Sequence, residues 1–357
     1  MVDERGRERI PLGDVQCTRL SDRKLGWVGS LVSHRRIPAC LTSGAGRVVS
    51  MPPRLKSSSN EGHHMTTTAK PLKVGLSLRH TLQANPLALA ELARVCDAVG
   101  LDSLWLPHHT IIPTDYASRY PYQKDSKLPF PADTLYSDSL TLLSYVAAVT
   151  THVRLGTNVI PLITQHPLAL AKQAATVDHL SGGRLELGLG SGWLTEEGTV
   201  LGQPTNKRAR RLSETIDILR KAWTGQPFTH EGEFWQFPEL VCSPAAAQGS
   251  DIPIWLGGSS PAVVEIIRTH GSGAILPPGD AGEEILAQLR PLLPADRDII
   301  SPVVVSPDSS DDDILRSLES WHRRGVAGVI LLSPPDTDIA IPLMRRIGEH
   351  VLPRLAR

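Results

Sequence analysis

The chain has 357 residues, of which 41% are hydrophobic and 21% are charged, and its 37 Lys and Arg side chains equal its 37 Asp and Glu side chains. This composition predicts a soluble globular protein, and no apolar run approaches the roughly 18–20 residues that span a membrane. The balanced charge argues against a nucleic-acid-binding or membrane-surface role.

The first 64 residues differ from the rest. They hold 11 basic and 6 acidic side chains, a net charge of +5, whereas residues 65–357 have a net charge of −5. The segment is biased towards Ser, Gly and Pro and shows no sustained apolar periodicity. We therefore predict a disordered or upstream extension over residues 1–64 and a folded domain over residues 65–357, with Met65 as the functional start. A transit peptide is a weaker interpretation because of the acidic residues.

The cysteines give a prediction about location and metals. Cys17, Cys40, Cys96 and Cys242 follow neither a CxxC pattern nor a metal-ligand spacing. Thiols without such patterns are the rule in reduced compartments, so we expect a cytoplasmic protein with no metal site.

From residue 73 onward, strand patterns and helix patterns alternate regularly. Strands are predicted over residues 73–78, 101–106, 153–160, 184–190, 252–257, 273–277, 298–305 and 325–333. Helices are predicted from Pro86, over residues 139–150, from Pro167 to Gly182, around 212–223, from Pro261, around 285–293, around 314–321, and at the end of the chain to about Pro353. A loop from Pro107 to about Tyr136 and a small hairpin over residues 229–238 interrupt the alternation.

Eight strand–helix pairs over about 285 residues predict an α/β fold, a (β/α)₈ TIM barrel with insertion segments. The strands are near-continuous apolar runs, as parallel strands covered on both faces should be. A doubly wound open sheet is the alternative. In a barrel, the active site lies where the strands end, and this rule selects four groups of residues. They are His108 and His109, Thr157 to Val159, Gly190 to Trp193, and Gly257 to Ser260.

The turn Gly257-Gly258-Ser259-Ser260 joins a short apolar strand to a helix that begins at Pro261. Ser260 is a favourable N-cap and proline suits the first helical position. Glycines let the backbone approach a ligand closely, and free N–H groups at a helix N-terminus suit a phosphate. An ordinary capped turn explains the same residues.

Two adjacent histidines follow the second strand. Successive residues alternate at a strand end, so at most one of His108 and His109 should face the barrel axis. Histidine is well suited to proton transfer near neutral pH. A hydrogen-bonded loop histidine is the alternative, and the absence of an HxH or HExxH pattern makes a metal site less favoured.

The third and fourth strands end in unusual sequences. The fourth strand ends in GLGSGW, which is glycine-rich but is not a dinucleotide fingerprint. Its glycines either leave room for a flat ligand or a phosphate, or form a tight turn. Asn158 interrupts an apolar run and Pro161 follows soon after, which predicts a bend or bulge in the third strand. The loop aromatics are expected either to close over a ligand or to pack on the surface; they are Tyr116, Tyr120, Tyr122, Phe130 and Tyr136.

Three segments together resemble the luciferase-like monooxygenase superfamily. They are GLDSLWLPHH, the block VRLGTNVIPLITQHPLALAKQAATVDHLSGGRLELGLGSGW, and IWLGGSSP. The resemblance is closest to the branch that uses the deazaflavin coenzyme F420, and it extends from about Lys73 to Trp321. It implies a barrel with a flavin-like ring bound at its carboxyl-terminal face, a small-molecule substrate and a homodimer.

The resemblance also implies roles for particular residues. A non-proline cis peptide in the third strand falls on Asn158–Val159, and the backbone around Gly190 to Trp193 and Gly257 to Ser260 would hold the cofactor. His109 matches the family's histidine beside the ring. His108 stands where many relatives have an aspartate, which puts any cofactor contact from that residue in doubt. Trp193 stands where the family's sugar-phosphate dehydrogenases have a glutamate, so that activity is not assigned.

The sequence therefore leads to an F420-dependent oxidoreductase that transfers a hydride, with His109 as the catalytic residue. Predicted cofactor contacts come from His108, Thr157, Asn158, Val159, Gly190, Ser191, Gly192, Trp193, Gly257, Gly258, Ser259 and Ser260. One alternative is a two-component monooxygenase that uses FMN, for which Arg208, Arg210 or Arg211 could reach the phosphate. Another is a barrel that binds a flavin without turnover.

Overall fold

The computed structural model describes residues 70–355, so the predicted extension over residues 1–64 and the predicted start at Met65 lie outside the described residues. Within the described range, parallel strands close into an eight-stranded barrel. In chain order, the barrel strands are β1 Lys73–Ser77, β2 Ser103–Leu106, β3 Arg154–Thr157 continued as β4 Ile160–Pro161, β5 Leu185–Gly190, β8 Ile254–Gly257, β9 Gly273–Ile275, β10 Asp298–Val304 and β11 Gly328–Leu332. Between β5 and β8 lie the strands of a hairpin, β6 Phe228–Glu231 and β7 Gln236–Leu240.

The pairing order shows that the barrel is closed. The order runs β3, β2, β1, β11, β10, β9, β8 and β5, and β5 pairs back onto both β3 and β4. The barrel pairings are parallel, whereas β6 and β7 form a separate antiparallel hairpin. The TIM barrel prediction is confirmed and the open sheet is excluded, because an open sheet would leave two edges.

Helices cover the outside of the barrel. They are α1 Pro86–Ala98, α2 Ser139–Val149, α3 Pro167–Ser181, α4 Thr195–Val200, α5 Arg208–Trp223, α6 Pro261–Thr269, α7 Asp280–Leu289, α8 Asp311–Arg323 and α9 Thr337–Arg346. Asn85 caps α1 by accepting hydrogen bonds from Leu87 N at 3.1 Å and Ala88 N at 3.2 Å, as its position before Pro86 predicts. None of the helices within residues 70–355 is long and apolar enough to cross a bilayer.

Two helices differ from the prediction. Helix α7 begins at Asp280 and ends at Leu289, several residues before the predicted helix around 285–293; Gly279, at a φ of 73°, sets the start. The six-residue helix α4, with the sequence TEEGTV, was not predicted. It is too short for an apolar periodicity to show.

The inside of the barrel is filled by large side chains. Trp105, Trp255, Ile275, Ile300 and Ile330 form one buried cluster, and Val159 packs against it. The two tryptophan rings meet edge to face, with centroids 6.3 Å apart. The barrel is therefore a packed core, and a ligand of any size has to bind at its ends rather than inside it.

The third strand is broken where the sequence predicted a bulge. Strand β3 ends at Thr157, the Asn158–Val159 peptide is cis, and the chain rejoins the barrel at Ile160. A side-chain carbon added to Gly190 would lie 2.9 Å from Val159 Cγ2, and one added to Gly257 would lie 3.5 Å away. The bulge thus carries Val159 against the ends of the next two barrel strands.

Candidate functional site

A cavity of about 320 Å³ opens at the carboxyl ends of the barrel strands. Its wall contains residues that follow β2, the bulge after β3, the residues after β5 and β8, and the segment after β9. The lining residues are Pro107, His108, His109, Tyr120, Pro121, Tyr122, Leu128, Phe130, Tyr136, Asn158, Val159, Pro161, Gly190, Ser191, Gly192, Trp193, Gly257, Gly258, Ile275, Leu276, Pro277, Pro278 and Pro302. Ten of the thirteen predicted site residues lie in this wall, brought together by the barrel.

Three predicted cofactor contacts lie outside the cavity wall. Thr157 is fully buried and clamps β3 to β5, because its hydroxyl donates to Gly188 O at 2.8 Å and accepts from Gly188 N at 2.9 Å. Ser260 accepts from Val263 N at 3.4 Å as the N-cap of α6. Ser259 stands beside it in the turn. These hydrogen bonds give the side chains of Thr157 and Ser260 a structural role.

Each glycine turn has its own reason to contain glycine. Gly192 has a φ of 81°, and a side-chain carbon there would lie 2.5 Å from Ile163 Cγ1. Gly258 has a φ of 121°, which disfavours any other residue. Part of the space next to GLGSGW is therefore filled by the protein itself, while the backbone of Gly190, Ser191 and Gly192 still faces the cavity.

His109 is held by a buried carboxylate. Its Nδ1 lies 2.9 Å from Glu197 Oε2, and the Glu197 side chain is fully buried. The other oxygen, Oε1, accepts hydrogen bonds from Thr110 N at 2.7 Å and Ile111 N at 3.2 Å. An acceptor at Nδ1 fixes the proton on that nitrogen, so Nε2 is the ring nitrogen left to face the cavity.

Glu197 was missed by sequence reasoning. It lies in the short helix α4, and its neighbour Glu196 accepts hydrogen bonds from Ala117 N at 2.8 Å and Ser118 N at 3.0 Å. The two carboxylates thus attach both ends of the 110–118 stretch of the long loop to α4. The available signal was a pair of acidic residues that follows GLGSGW after Leu194 and Thr195, in a segment that the barrel rule places at the active end.

His108 differs from its neighbour although both contact the cavity. It is 4% exposed, with Nδ1 2.9 Å from Ser139 Oγ and Nε2 3.3 Å from Thr110 Oγ1. Burial lowers the pKa of His108, and the Asp138 carboxylate opposes this only in part. Both histidines line the cavity, and both follow the end of β2 at Leu106, where the strict alternation of a strand no longer applies.

Arginines line a narrow cleft of about 20 Å³ next to the cavity, and Ser191 contributes to both. Arg208 Nη1 donates to Gly192 O at 2.8 Å, and the Arg211 guanidinium lies 4.1 Å from the centroid of the Phe234 ring. Within residues 70–355, Trp235 Nε1 in the wall of this cleft is buried without a hydrogen-bond acceptor. Two cations and an unsatisfied donor fit a phosphate ester at the mouth of the cleft. Arg210 instead pairs with Glu233.

The cavity therefore fits a flavin-type cofactor in three respects. The glycine turns leave backbone exposed, the bulge at Val159 supplies an apolar support, and the arginine cleft suits a phosphate. No group of three or more His, Cys, Asp or Glu side chains among the described residues is arranged to hold a metal ion. What the site offers chemically is one oriented imidazole beside a flat, largely apolar space.

Comparisons with known proteins place this geometry in a family. The chain is 30% identical over 298 residues to an F420-dependent glucose-6-phosphate dehydrogenase from Kineococcus radiotolerans, covering 80% of this chain and 82% of that protein. It is 29% identical over 203 residues to the oxygenase component of a flavin-dependent trigonelline monooxygenase from Acinetobacter baylyi, covering 56% of this chain and 51% of that protein.

Among solved structures, a monooxygenase from Streptomyces bottropensis superposes with a TM-score of 0.64 at 20% identity, over 80% of this chain and 100% of that one. At this identity the likeness shows the shared fold. The model of the luciferase-like monooxygenase family matches residues 63–337, and the chain belongs to that family.

Proposed function

We propose that the protein is an F420-dependent oxidoreductase that transfers a hydride between the deazaflavin coenzyme and a small organic substrate. The observation that carries the proposal is the pairing of His109 with the buried Glu197, at the wall of a cavity with exposed backbone and an apolar floor. The F420-dependent relative from Kineococcus supports the choice of cofactor. As in other members of the family, we expect a homodimer.

When bound, the deazaflavin supplies or accepts the hydride, and the protein handles the accompanying proton. His109 Nε2 donates that proton to the reacting oxygen or nitrogen of the substrate, or accepts it in the opposite direction. Glu197 holds the ring through Nδ1 and stabilises the imidazolium form when His109 is protonated. Tyr136 and Trp193 contact the His109 ring edge to face, with centroids 5.5 and 6.4 Å away, and restrict its rotation.

Other residues of the cavity orient the cofactor. The backbone of Gly190 to Gly192 and of Gly257 and Gly258 faces the cavity without side chains that would keep a flat ring away. Val159 stands at the same place and provides a fixed apolar surface. Ile275 and Leu276 close the wall and limit the access of water, which protects a hydride donor from side reactions.

A specific observation favours a second candidate, a two-component monooxygenase that uses FMN. Arg208 and Arg211 lie in the cleft that shares Ser191 with the cavity, and the phosphate of FMN is a terminal dianion that suits two guanidinium groups. The flavin-dependent trigonelline monooxygenase is also among the relatives.

Titration of the full chain with F420 and, separately, with FMN distinguishes the candidates. We expect F420 to bind at micromolar Kd or tighter, with FMN at least tenfold weaker, measured by fluorescence. A preference for FMN overturns the proposal in favour of the monooxygenase, and binding of neither contradicts both.

The substitution His109→Ala tests whether the barrel turns over or only binds. Removing an oriented proton-transfer group lowers kcat/KM by about 10²–10⁴-fold, while the Kd of the cofactor should stay within about threefold. Turnover that is unaffected by the substitution would remove His109 from the mechanism, and a native protein with bound cofactor but no redox activity in a broad substrate screen would support the non-catalytic alternative.

A further inference from the structure

Six aromatic rings form an unbroken series around His109, which we call the aromatic arc. In order they are Tyr122, Tyr120, Trp193, His109, Tyr136 and Phe130. Neighbouring centroids lie 5.1 to 6.4 Å apart, and four of the five contacts are edge to face. All six rings line the cavity, so one side of it is a continuous aromatic wall with the oriented imidazole in the middle.

The phenols of this wall remain uncharged. Burial, with a smaller effect from Tyr122, raises the pKa of Tyr120 to about 12. Burial also raises the pKa of Tyr122 and, further, that of Tyr136. These rings therefore present apolar faces and neutral hydroxyl groups at any physiological pH.

Formal charges are absent from the cavity wall. Among the described residues that line it there is no Asp, Glu, Lys or Arg. Glu197 is fully buried behind His109 and its oxygens already accept three hydrogen bonds. An anion placed against the aromatic arc would lose water and meet the negative faces of the rings without gaining a Lys or Arg partner, which is costly in a buried site.

Charged and uncharged side chains of the long loop line different cavities. Asp115, Arg119, Asp125 and Lys127 line a second cavity of about 620 Å³ formed by residues 112–132 of the loop. Leu128 and Phe130 line both cavities and therefore separate them. One stretch of chain thus directs charged groups away from the aromatic arc and uncharged groups towards it.

We propose that the aromatic arc selects uncharged, planar aromatic molecules as substrates and rejects their anionic analogues. This proposal depends on the proposed function in one respect, which is that the same cavity is taken as the substrate site. Planar rings gain edge-to-face contacts with the arc, and a neutral polar substituent can meet His109 Nε2 or a phenol hydroxyl. A sugar phosphate, the substrate class of the Kineococcus relative, lacks an aromatic ring and finds no Lys or Arg among the described residues of this wall.

Two probes of similar shape test the proposal: 4-methylbenzaldehyde, which is neutral, and 4-formylbenzoate, which is anionic. Their Kd values are measured by calorimetry on the full chain. We expect the neutral probe to bind at least tenfold more tightly than the anion. Equal or tighter binding of the anion, or no binding of the neutral probe, overturns the proposal.

The variant Leu128→Arg ties the preference to this wall. Leu128 is half-buried and its backbone N–H, bonded to the Tyr116 hydroxyl at 3.0 Å, is unaffected by the substitution. The introduced cation should improve binding of 4-formylbenzoate relative to the neutral probe by at least tenfold, whereas Leu128→Met should leave the ratio unchanged. If Leu128→Arg leaves the ratio of the two Kd values unchanged, the probes bind elsewhere. Failure of F420 to bind would contradict the proposed function and leave this charge preference standing.

Discussion

The two ends of the barrel hold cavities of similar size but of opposite character. The cavity at the carboxyl ends of the strands measures about 320 Å³, and the one at the amino ends, around Lys73, Arg154 and Glu186, about 360 Å³. The first contains no formal charge in its wall but has a histidine with one ring nitrogen engaged and the other facing inward.

At the amino end, the carboxylates of Glu186 and Asp102 already have hydrogen-bond donors. Glu186 accepts hydrogen bonds from the Arg154 side chain and from Trp255 Nε1, the latter at 2.9 Å. Asp102 accepts from Val74 N at 2.7 Å. Volume alone therefore does not identify a site. What distinguishes the carboxyl end is His109, whose Nδ1 is held by Glu197 so that Nε2 is left to face the cavity.

The largest expected effect concerns Glu197. In Glu197→Gln an amide N–H₂ faces His109 Nδ1, so the proton moves to Nε2 and the ring can no longer accept a proton there. We expect kcat/KM to fall by about 10³-fold, which is about 4 kcal/mol of transition-state stabilisation. Nitrogen NMR of labelled histidine should show the change of tautomer without any substrate.

Glu196→Gln is the matched control, because the Glu196 carboxylate bonds the loop at Ala117 N (2.8 Å) and Ser118 N (3.0 Å), whereas that of Glu197 bonds His109. Its kcat/KM should remain within about threefold of the wild-type value. An unchanged His109 tautomer in Glu197→Gln would show that the carboxylate does not orient the ring.

At the amino end, a comparable substitution should affect stability instead of turnover. Glu186→Ala leaves Trp255 Nε1 and Arg154 Nε without their acceptor, and the free energy of unfolding should fall by about 2–3 kcal/mol. Denaturant unfolding measures it, with the exposed Glu91→Ala as control, where a change below about 1 kcal/mol is expected. If Glu186→Ala lost activity at temperatures where it remains folded, the amino end of the barrel would contribute to turnover and not to stability alone.

Gly192→Ala tests how tightly the cavity end is packed. Gly192 and Gly202 both have positive φ, 81° and 68°, but only at Gly192 would the added carbon meet a neighbour, Ile163 Cγ1 at 2.5 Å. Each substitution should cost about 1–2 kcal/mol for the backbone conformation, and Gly192→Ala about 1 kcal/mol more for the overlap. Thermal unfolding of the two variants gives the difference, and equal losses would mean that Ile163 moves aside freely.

The smallest expected effect is that of His108 on the pH dependence of the free energy of unfolding. Because burial lowers its pKa in the folded protein, the unfolded chain binds a proton at this residue before the folded protein does. The free energy of unfolding should therefore decline as pH falls below about 6.5. His108→Gln should make this decline less steep, as measured by urea unfolding between pH 7.5 and 5. Identical slopes would show that His108 is not responsible.

Much of the fold could be predicted from the sequence, because eight apolar runs and their capped helices are local signals. The bulge at Asn158 and the position of His109 followed from the residues and the family resemblance together. Glu197 could not be found in this way, since its bond to His109 joins residues 88 positions apart through a helix too short to show a pattern. Nor could the structural use of Thr157, which bonds the backbone of Gly188, 31 positions away. The N-cap role of Ser260, by contrast, is a local signal that its place before Pro261 predicts.

The two glutamates of α4 divide the long loop into a fixed part and an adaptable part. Residues 110–118 are fastened by the same helix that orients His109, so altering them would disturb proton transfer as well as shape. Residues 119–136 supply most of the aromatic arc and carry no part of that attachment. Redesign of residues 119–135 can therefore change what the cavity accepts, while Glu197 and the ring of Tyr136 continue to hold His109.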